Sequence, residues 1–138
     1  MPNINTYAIR LKPGDDLKKA IQAFVVENKF RAAWISTCVG SLANYNIRFA
    51  NQEKGNKGEG HFEIVSLAGI LSINGSHMHI SISDSTGKTM GGHLLEDCIV
   101  YTTAEIIIQA TDDLIFKRER EGSTPWEELQ IEKNKAEK

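Results

Sequence analysis

Residues 77–94 read HMHISISDSTGKTMGGHL, and this stretch decides the fold of the chain. The segment DSTGK at 84–88 consists of the small and polar residues that favour a tight turn. The residues after the turn therefore fold back beside those before it. Two strands joined by so short a connection pair in antiparallel fashion. The sequence predicts a β-hairpin with strands at 77–83 and 89–94.

Three of the chain's four histidines lie in this hairpin, at positions 77, 79 and 93, and His61 is the fourth. Side chains alternate along a strand, so His77 and His79 share a face at a distance of about 6–7 Å. A four-residue loop places His79 opposite Gly92, whereas a five-residue loop places it opposite His93. The hairpin thus brings the third imidazole within one residue of the other two.

Three imidazoles on neighbouring strands predict a metal site formed by His77, His79 and His93. A tetrahedral metal held by three histidines keeps one position for water or a substrate, with metal–nitrogen distances of about 2.0–2.1 Å. Zinc is the first expectation, and nickel, copper or iron stay open. The alternative is that the H-x-H pair only makes hydrogen bonds or belongs to a solvated face.

The composition bounds the class of protein. A chain of 138 residues is long enough for one domain with its own core. Its 16 basic and 18 acidic residues give a formal charge of −2, so no broad basic surface indicates nucleic-acid or membrane binding. No apolar run approaches the ~18 residues that span a bilayer. The start, MPNINTYAIR, lacks the layout of a signal peptide.

The two cysteines, Cys38 and Cys98, lie in apolar stretches. Buried free thiols of an intracellular protein are favoured over a disulfide. We therefore expect a cytoplasmic location and no association with membranes.

The remaining patterns predict one helix among antiparallel strands, which is the α+β class. A strand that begins at Thr6 ends at the Pro13-Gly14 turn, and Asp15 or Asp16 caps the helix that follows. Apolar residues at helical spacing form the buried stripe of this helix: Leu17, Ala20, Ile21, Phe24 and Val25. Further strands are expected at 32–49 (long and bent, or divided in two), 61–73 and 99–110, with an exposed polar loop at 51–60.

The domain is expected to cover residues 1–120, followed by a polar tail at 121–138 that is partly packed and then frayed. A small sheet has open edges, and an exposed edge pairs readily with another chain. The isoleucine-rich segment AEIIIQA at 104–110 therefore favours self-association.

Glu63 is the one candidate for a catalytic base or for a hydrogen-bond partner of a histidine, and a surface carboxylate is the equal alternative. Glu105 has apolar neighbours, so a structural ion pair with Arg10 or Arg48 is favoured over catalysis. Cys98 would have to reach across the sheet to serve as a fourth metal ligand, and this role is not expected.

Two glycines and two tryptophans complete the set of candidates. Gly91 and Gly92 favour close backbone packing beside the hairpin, or a bulge within it. They are not expected to bind phosphate, because no helix begins after them. Trp34 and Trp126 are expected to pack within the subunit, with a contact between Trp126 and a neighbouring subunit as the alternative.

Five segments in this order resemble the PPC domain, the module conserved in plants and prokaryotes. They are RLKPGDDL at 10–17, VGSLANYNIRF at 39–49, HFEIVSLAGILS at 61–72, the run from HMHISIS to AEIII at 77–108, and FKREREGSTPWEEL at 116–129. The third segment is close to the family's G-x-F-E-I-x-S-L-x-G strand. The fourth matches the prokaryotic H-x-H-x-S-x-x-D-x-x-G-x-x-x-G-G-H-L pattern. The resemblance spans nearly the whole chain.

This resemblance implies a largely antiparallel sheet with one main helix, assembled as a homotrimer. It also implies a bound metal, commonly zinc, at His77, His79 and His93. Plant members carry an AT-hook that binds DNA, but no R-G-R-P core occurs in this sequence. The only dense basic cluster, FKRER at 116–120, is interleaved with acidic residues.

Three functions follow from these patterns. The first is a homotrimeric metal protein of unassigned activity, in which the metal's open position receives a small molecule. The second is a DNA-binding or transcription-regulatory assembly module that acts through protein partners. The third is an interaction platform whose metal is purely structural. Whether the protein is an enzyme stays open at this point.

Overall fold

A computed structural model describes residues 3–135 of the chain as one helix and eight strands. In chain order these are β1 (Ile4–Leu11), α1 (Leu17–Glu27), β2 (Ala33–Arg48), β3 (Asn56–Leu71), β4 (His77–Ser83), β5 (Thr89–Leu94), β6 (Ile99–Thr111), β7 (Leu114–Glu119) and β8 (Glu128–Lys133). The α+β class and the hairpin strands are confirmed. The 11-residue α1 has neither the length nor the apolar character of a membrane span.

Six strands form the main sheet in the order β1-β6-β2-β3-β4-β5, and every pairing is antiparallel. The sheet also closes on itself, because the end of β2 pairs with β5 at Ile47↔Leu94 and Arg48↔His93. Strands β2 to β5 therefore form a ring. This closure brings the end of β2 next to the histidine hairpin.

Helix α1 packs on the sheet through the predicted apolar stripe. Leu17, Ile21 and Val25 are fully buried, and Ala20 and Phe24 pack against the same core. Of the two candidate caps it is Asp16 that caps the helix: its Oδ1 accepts a hydrogen bond of 3.0 Å from the backbone N–H of Lys19.

Strand β2 is a single long strand, as one of the two alternatives predicted, and its pairing with β6 contains register shifts. The exposed loop predicted at 51–60 is shorter than expected, because β3 already begins at Asn56. Hydrogen bonding explains the difference: the polar and glycine residues 56–59 pair with residues 44–47 of β2. The backbone hydrogen bonds between β3 and β2 outweigh the low strand propensity of these residues.

Strands β7 and β8 form a separate two-stranded sheet that the sequence patterns did not predict. Strand β8 lies inside the segment expected to be a polar tail at 121–138. The fraying expected towards the end of that tail concerns residues that include 136–138, which lie outside the described residues. The small sheet is tied to the main one at Phe116. The backbone N–H of Phe116 donates to Arg31, and its carbonyl accepts from the side chains of Ser72 and Asn74.

Candidate metal centre

The turn of the hairpin fixes which residues face each other. Ser83 pairs with Thr89, so the loop has the five residues 84–88, and His79 pairs directly with His93. Asp84 stabilises this loop, because its Oδ1 accepts from the backbone N–H groups of Thr86 (2.9 Å) and Lys88 (3.0 Å). The longer of the two loops considered for the sequence is therefore the one that forms.

The three imidazoles converge at the end of the hairpin that is remote from the turn. The Nε2 atoms of His77 and His79 are 3.1 Å apart, and the ring centroids of His77 and His93 are 5.0 Å apart. One ring nitrogen from each of the three residues can be chosen so that all lie within 4.8 Å of one another. No other group of three or more such ligands occurs among residues 3–135.

The paired glycines allow β5 to approach both of its neighbours. A Cβ atom on Gly91 would stand 2.6 Å from the backbone oxygen of Ile80, and one on Gly92 would stand 2.5 Å from that of Arg48. Both are backbone atoms that cannot swing aside. The prediction of close backbone packing is confirmed, and no register shift appears between residues 89 and 93.

The electrostatic surroundings keep two of the imidazoles uncharged. Burial lowers the pKa of His93 to about 4, with further lowering by the positive charge of Arg48 and by the other two histidines. Burial and the proximity of His79 lower the pKa of His77, as does the positive charge of Arg118. Neutral imidazole is the form that binds metals. Both side chains are thus in the ligating form at neutral pH.

The donor set fits a transition metal. Two nitrogen ligands of a tetrahedral zinc ion lie about 3.4 Å apart. The Nε2 atoms of His77 and His79 are 3.1 Å apart, and one nitrogen from each of the three histidines lies within 4.8 Å of the others. Three imidazole ligands suit zinc, copper, nickel and iron, and do not suit the hard cations magnesium and calcium.

A cleft of about 830 Å³ opens beside His77 and His93. Its wall is built from four parts of the chain: the end of β2 with residues 51–53, the turn before β4, strand β7, and residues 126–128. Two cations line it, Arg48 and Arg118. The guanidinium of Arg48 lies 5.9 Å from the ring centroid of Trp126, which is 64% exposed.

Glu63 is not brought to the histidines. It pairs with Ser83 at the turn end of β4, whereas His79 pairs with Ala68, five residues further along β3. Five residues of strand correspond to roughly 16 Å. Glu63 lines a different cleft together with His61 and Tyr101, whose rings stack at 4.3 Å.

Glu105 is exposed, in contrast to the buried position expected from its neighbours. Alternation along β6 explains this, because Ala104 and Ile106 face the core while Glu105 faces out. Arg10 is its cross-strand partner, but the two side chains meet only through the hydroxyl of Thr103, and no direct ion pair of Glu105 occurs among residues 3–135. Arg48 lies elsewhere, in the histidine cleft.

The cysteines are buried and free, as predicted. Burial raises the pKa of both thiols to about 11. The sulfur of Cys98 is 3.3 Å from the backbone nitrogen of Asn46, which donates to it, and Cys98 does not belong to the histidine cluster. The expectation that it is not a fourth ligand agrees with this placement.

Arg48 and Arg118 are the site residues that the sequence patterns do not predict. Arg118 lies in the FKRER segment, which indicates only a basic cluster interleaved with acidic residues. The apolar run Leu114-Ile115-Phe116, directly after two aspartates, is the signal that could have indicated a strand there. Without that strand, nothing in the sequence places residue 118 near residue 77.

Residues 1–112 match the sequence model of the Plants and Prokaryotes Conserved (PCC) domain. The chain belongs to this family. The PCC domain is the PPC domain of the resemblance described above, which is thereby confirmed.

Solved structures share the fold of this PCC domain. A hypothetical protein from Salmonella cholerae-suis (Salmonella enterica) is 38% identical, with a TM-score of 0.94 and coverage of 96% of each chain. A metal-containing protein from Archaeoglobus fulgidus is 24% identical, with a TM-score of 0.78 over 94% of this chain and 96% of that one. A protein from Bacteroides thetaiotaomicron, described as a candidate DNA-binding protein, is 22% identical, with a TM-score of 0.77 over 93% and 91% of the two chains. The last two similarities show the fold alone.

A longer protein also contains a related segment. The bifunctional protein GlmU of Synechococcus sp. (strain JA-3-3Ab) is 36% identical over 131 residues, which are 95% of this chain and 21% of the relative. The GlmU of a second Synechococcus strain aligns over the same share of its length. The chain thus spans about a fifth of the length of these curated relatives.

Proposed function

We propose that this PCC domain binds one divalent transition metal ion, with zinc as the first choice, through His77, His79 and His93. The observation that supports the proposal is the convergence of three imidazole nitrogens on the wall of a cleft large enough for a small molecule. The metal-containing relative from Archaeoglobus fulgidus agrees with it.

The role of the protein side chains follows from their positions. The pairing of β4 with β5 holds His79 opposite His93, and the pairing of Ile70 with His77 holds the third ring. A metal bound by three imidazoles supplies Lewis acidity at its remaining position. The cleft beside His77 and His93 gives a small-molecule ligand access to that position.

Metal analysis of protein purified without a histidine tag tests the proposal. We expect about one equivalent of a transition metal in the wild type, and loss of at least about tenfold in affinity in the variant His79→Gln, because two imidazoles remain. His61→Gln is the matched control, since His61 stacks on Tyr101 outside the cluster. Equal zinc affinity of the wild type and of His79→Gln, measured by competition with a chelator, would rule out this set of ligands.

We also propose that the chain assembles as a homotrimer. Support comes from an apolar patch formed by Val39, Val65 and Tyr101, which are 63%, 56% and 42% exposed and line one cleft. Apolar groups clustered on a surface favour association with another protein surface. A cytoplasmic location is part of the same proposal, and the two free buried thiols support it.

DNA binding is the second candidate function, favoured by the description of the Bacteroides thetaiotaomicron relative. The basic FKRER cluster is divided in the fold: Lys117 pairs with Glu132 at 2.9 Å, and Arg118 lines the cleft. A salt titration of binding to an AT-rich duplex decides between the functions. Submicromolar binding that weakens steeply with salt would establish DNA binding. Lack of binding by the metal-loaded protein would exclude it.

A further inference from the structure

Arg118 is held in the cleft by its surroundings and not by an ion pair. The aliphatic part of its side chain lies over Gly75, where an added Cβ would stand 3.0 Å from Cγ of Arg118. The strand that carries it is tied to the main sheet two residues earlier, at Phe116. The Nε atom of Arg118 is buried and has no hydrogen-bond partner among the described residues.

Arg48 is the second cation of the cleft, and it too has no carboxylate within 4.0 Å among residues 3–135. Its Nη1 donates to the backbone carbonyl of Gln52 at 3.3 Å, and its guanidinium faces Trp126. Arg48 is also the cross-strand partner of His93. Its position beside the histidines is therefore set by the backbone of the sheet.

Three glutamates share the cleft with these arginines, and they do not neutralise it once a metal is bound. Glu53 and Glu127 are exposed, so water screens their charge. Glu128 is half-buried and its negative charge acts on Arg118, so it offsets one of the positive charges. Neutral imidazoles add no negative charge. Two arginines and a divalent ion therefore leave the cleft with an excess of positive charge.

Buried or half-buried guanidinium groups are normally paired, and an arginine without a partner beside a cleft is matched by an anionic ligand. We infer that Arg48 and Arg118 form an oxyanion-binding pair, and that the ligand of the cleft is a small molecule with a carboxylate or phosphate group. The inference rests on the proposed metal site for the second contact of that ligand. The exposed ring of Trp126 beside Arg48 offers a flat apolar surface for the rest of the ligand.

Calorimetric titration of the full chain tests this inference with three probes: benzoate, inorganic phosphate, and benzamide as the uncharged counterpart of benzoate. Each probe is titrated into zinc-loaded protein and into metal-free protein. We expect at least one of the two anions to bind and benzamide not to bind. A preference for benzoate identifies a carboxylate ligand, and a preference for phosphate identifies a phosphoryl ligand. Equal binding of benzamide and benzoate, or no binding of either anion to either form, would overturn the inference.

Variants assign the binding to these residues. Arg118→Gln and Arg48→Gln should each weaken binding of the anion at least about tenfold, the usual effect of losing a hydrogen bond to a charged group. Arg118→Lys keeps the charge and should retain part of the affinity. Arg120→Gln is the matched control, because Arg120 is exposed on the same segment outside the cleft. Unchanged affinity in both Arg118→Gln and Arg48→Gln would contradict the inference.

These experiments distinguish a failure of the proposed metal site from a failure of the proposed oxyanion-binding pair. Zinc uptake is measured on the same samples. If the wild type takes up no zinc, the proposal of a metal site is ruled out. The metal-free titrations then still decide whether the two arginines bind an anion. Conversely, stoichiometric zinc binding without anion binding would support the proposed metal site and rule out the proposed oxyanion-binding pair.

Discussion

At the scale of single residues, His93 is where the chemistry of the site is most strongly set by the fold. It pairs with His79 on one side and with Arg48 on the other. Burial and the charge of Arg48 lower its pKa to about 4, so the imidazole is neutral over the physiological range. The side chain is therefore held in the neutral form, which is the form that can bind a metal.

This shift predicts how the metal-free protein responds to acid. The unfolded chain takes up a proton at His93 near its ordinary pKa of about 6.5, whereas the folded chain does so only near pH 4. The free energy of unfolding should therefore fall as the pH is lowered from about 6.5 to about 4. Urea unfolding of the metal-free protein at a series of pH values measures this loss.

The variant His93→Gln should show a smaller loss over the same pH range, because one of the titrating groups is gone. Part of the loss should remain, since burial also lowers the pKa of His77. The comparison concerns the dependence on pH, so a lower overall stability of the variant does not affect it. Identical pH dependence in both proteins would show that His93 does not titrate as described.

At the scale of elements, the hairpin of β4 and β5 builds the site, and its glycines fit it into the ring of strands. The backbone of β5 approaches that of β4 at Gly91 and that of β2 at Gly92. These contacts fix the distance between the strand that carries His93 and its two neighbours. The site therefore depends on two positions that bind no metal themselves.

Gly92→Ala should lower the free energy of unfolding by about 1–3 kcal/mol, because the added methyl group meets the backbone of Arg48 at 2.5 Å. It should also weaken metal binding, since β5 must shift and His93 moves with it. Gly87→Ala is the control within the same hairpin: its methyl group meets nothing within 4 Å, and its φ of 85° costs about 1–2 kcal/mol. Denaturant unfolding and zinc titration of both variants measure the two effects. Normal zinc affinity in Gly92→Ala would show that Gly92 is not needed for the geometry of the metal site.

The elements that the sequence predicted well are those with a local signal. The strands of the hairpin follow from its turn residues, and α1 follows from the spacing of Leu17, Ile21 and Val25. Strands β7 and β8 are not predicted by the sequence, because each has only six residues, of which three in β7 and four in β8 are polar. Their pairing is a tertiary effect, which overrides weak local preference.

The same distinction applies to the site. The histidines were predictable because they lie within 17 residues of one another on two paired strands. Arg48 and Arg118 were not, because the closure of β2 on β5 and the docking of β7 bring them in from distant parts of the chain. Glu63 was selected for its polarity alone, and the register of β3 with β4 carries it away from the site.

At the scale of the whole molecule, the two proposals concern two separate regions of the surface. One is the cleft of the histidines and arginines, and the other is the apolar patch of Val39, Val65 and Tyr101. The two clefts share no residue among those that line them. In the proposed trimer, assembly through the patch would use residues other than those that line the histidine cleft.

The proposed homotrimer predicts a mass in solution of about three times the 15.4 kDa of the chain. Val65→Lys should shift the mass towards that of a monomer, because it places a charge in the patch. Val26→Lys is the matched control, since Val26 is 57% exposed on α1 and lies outside the patch. Light scattering coupled to size exclusion measures both. A wild type with the mass of a single chain would refute the trimer. If Val65→Lys has the same mass as a trimeric wild type, the patch does not form the trimer interface.

The metal site is the central claim, and anomalous X-ray diffraction from crystals of tag-free protein, with no metal added, tests it most directly. Data collected on both sides of the zinc absorption edge should give one strong peak per chain, at about 2.0–2.1 Å from one ring nitrogen each of His77, His79 and His93. A peak at the edge of another transition metal would keep the site and change the ion. Anomalous maps without a peak between the three imidazoles, from crystals supplied with zinc as well as from those without, would contradict the account.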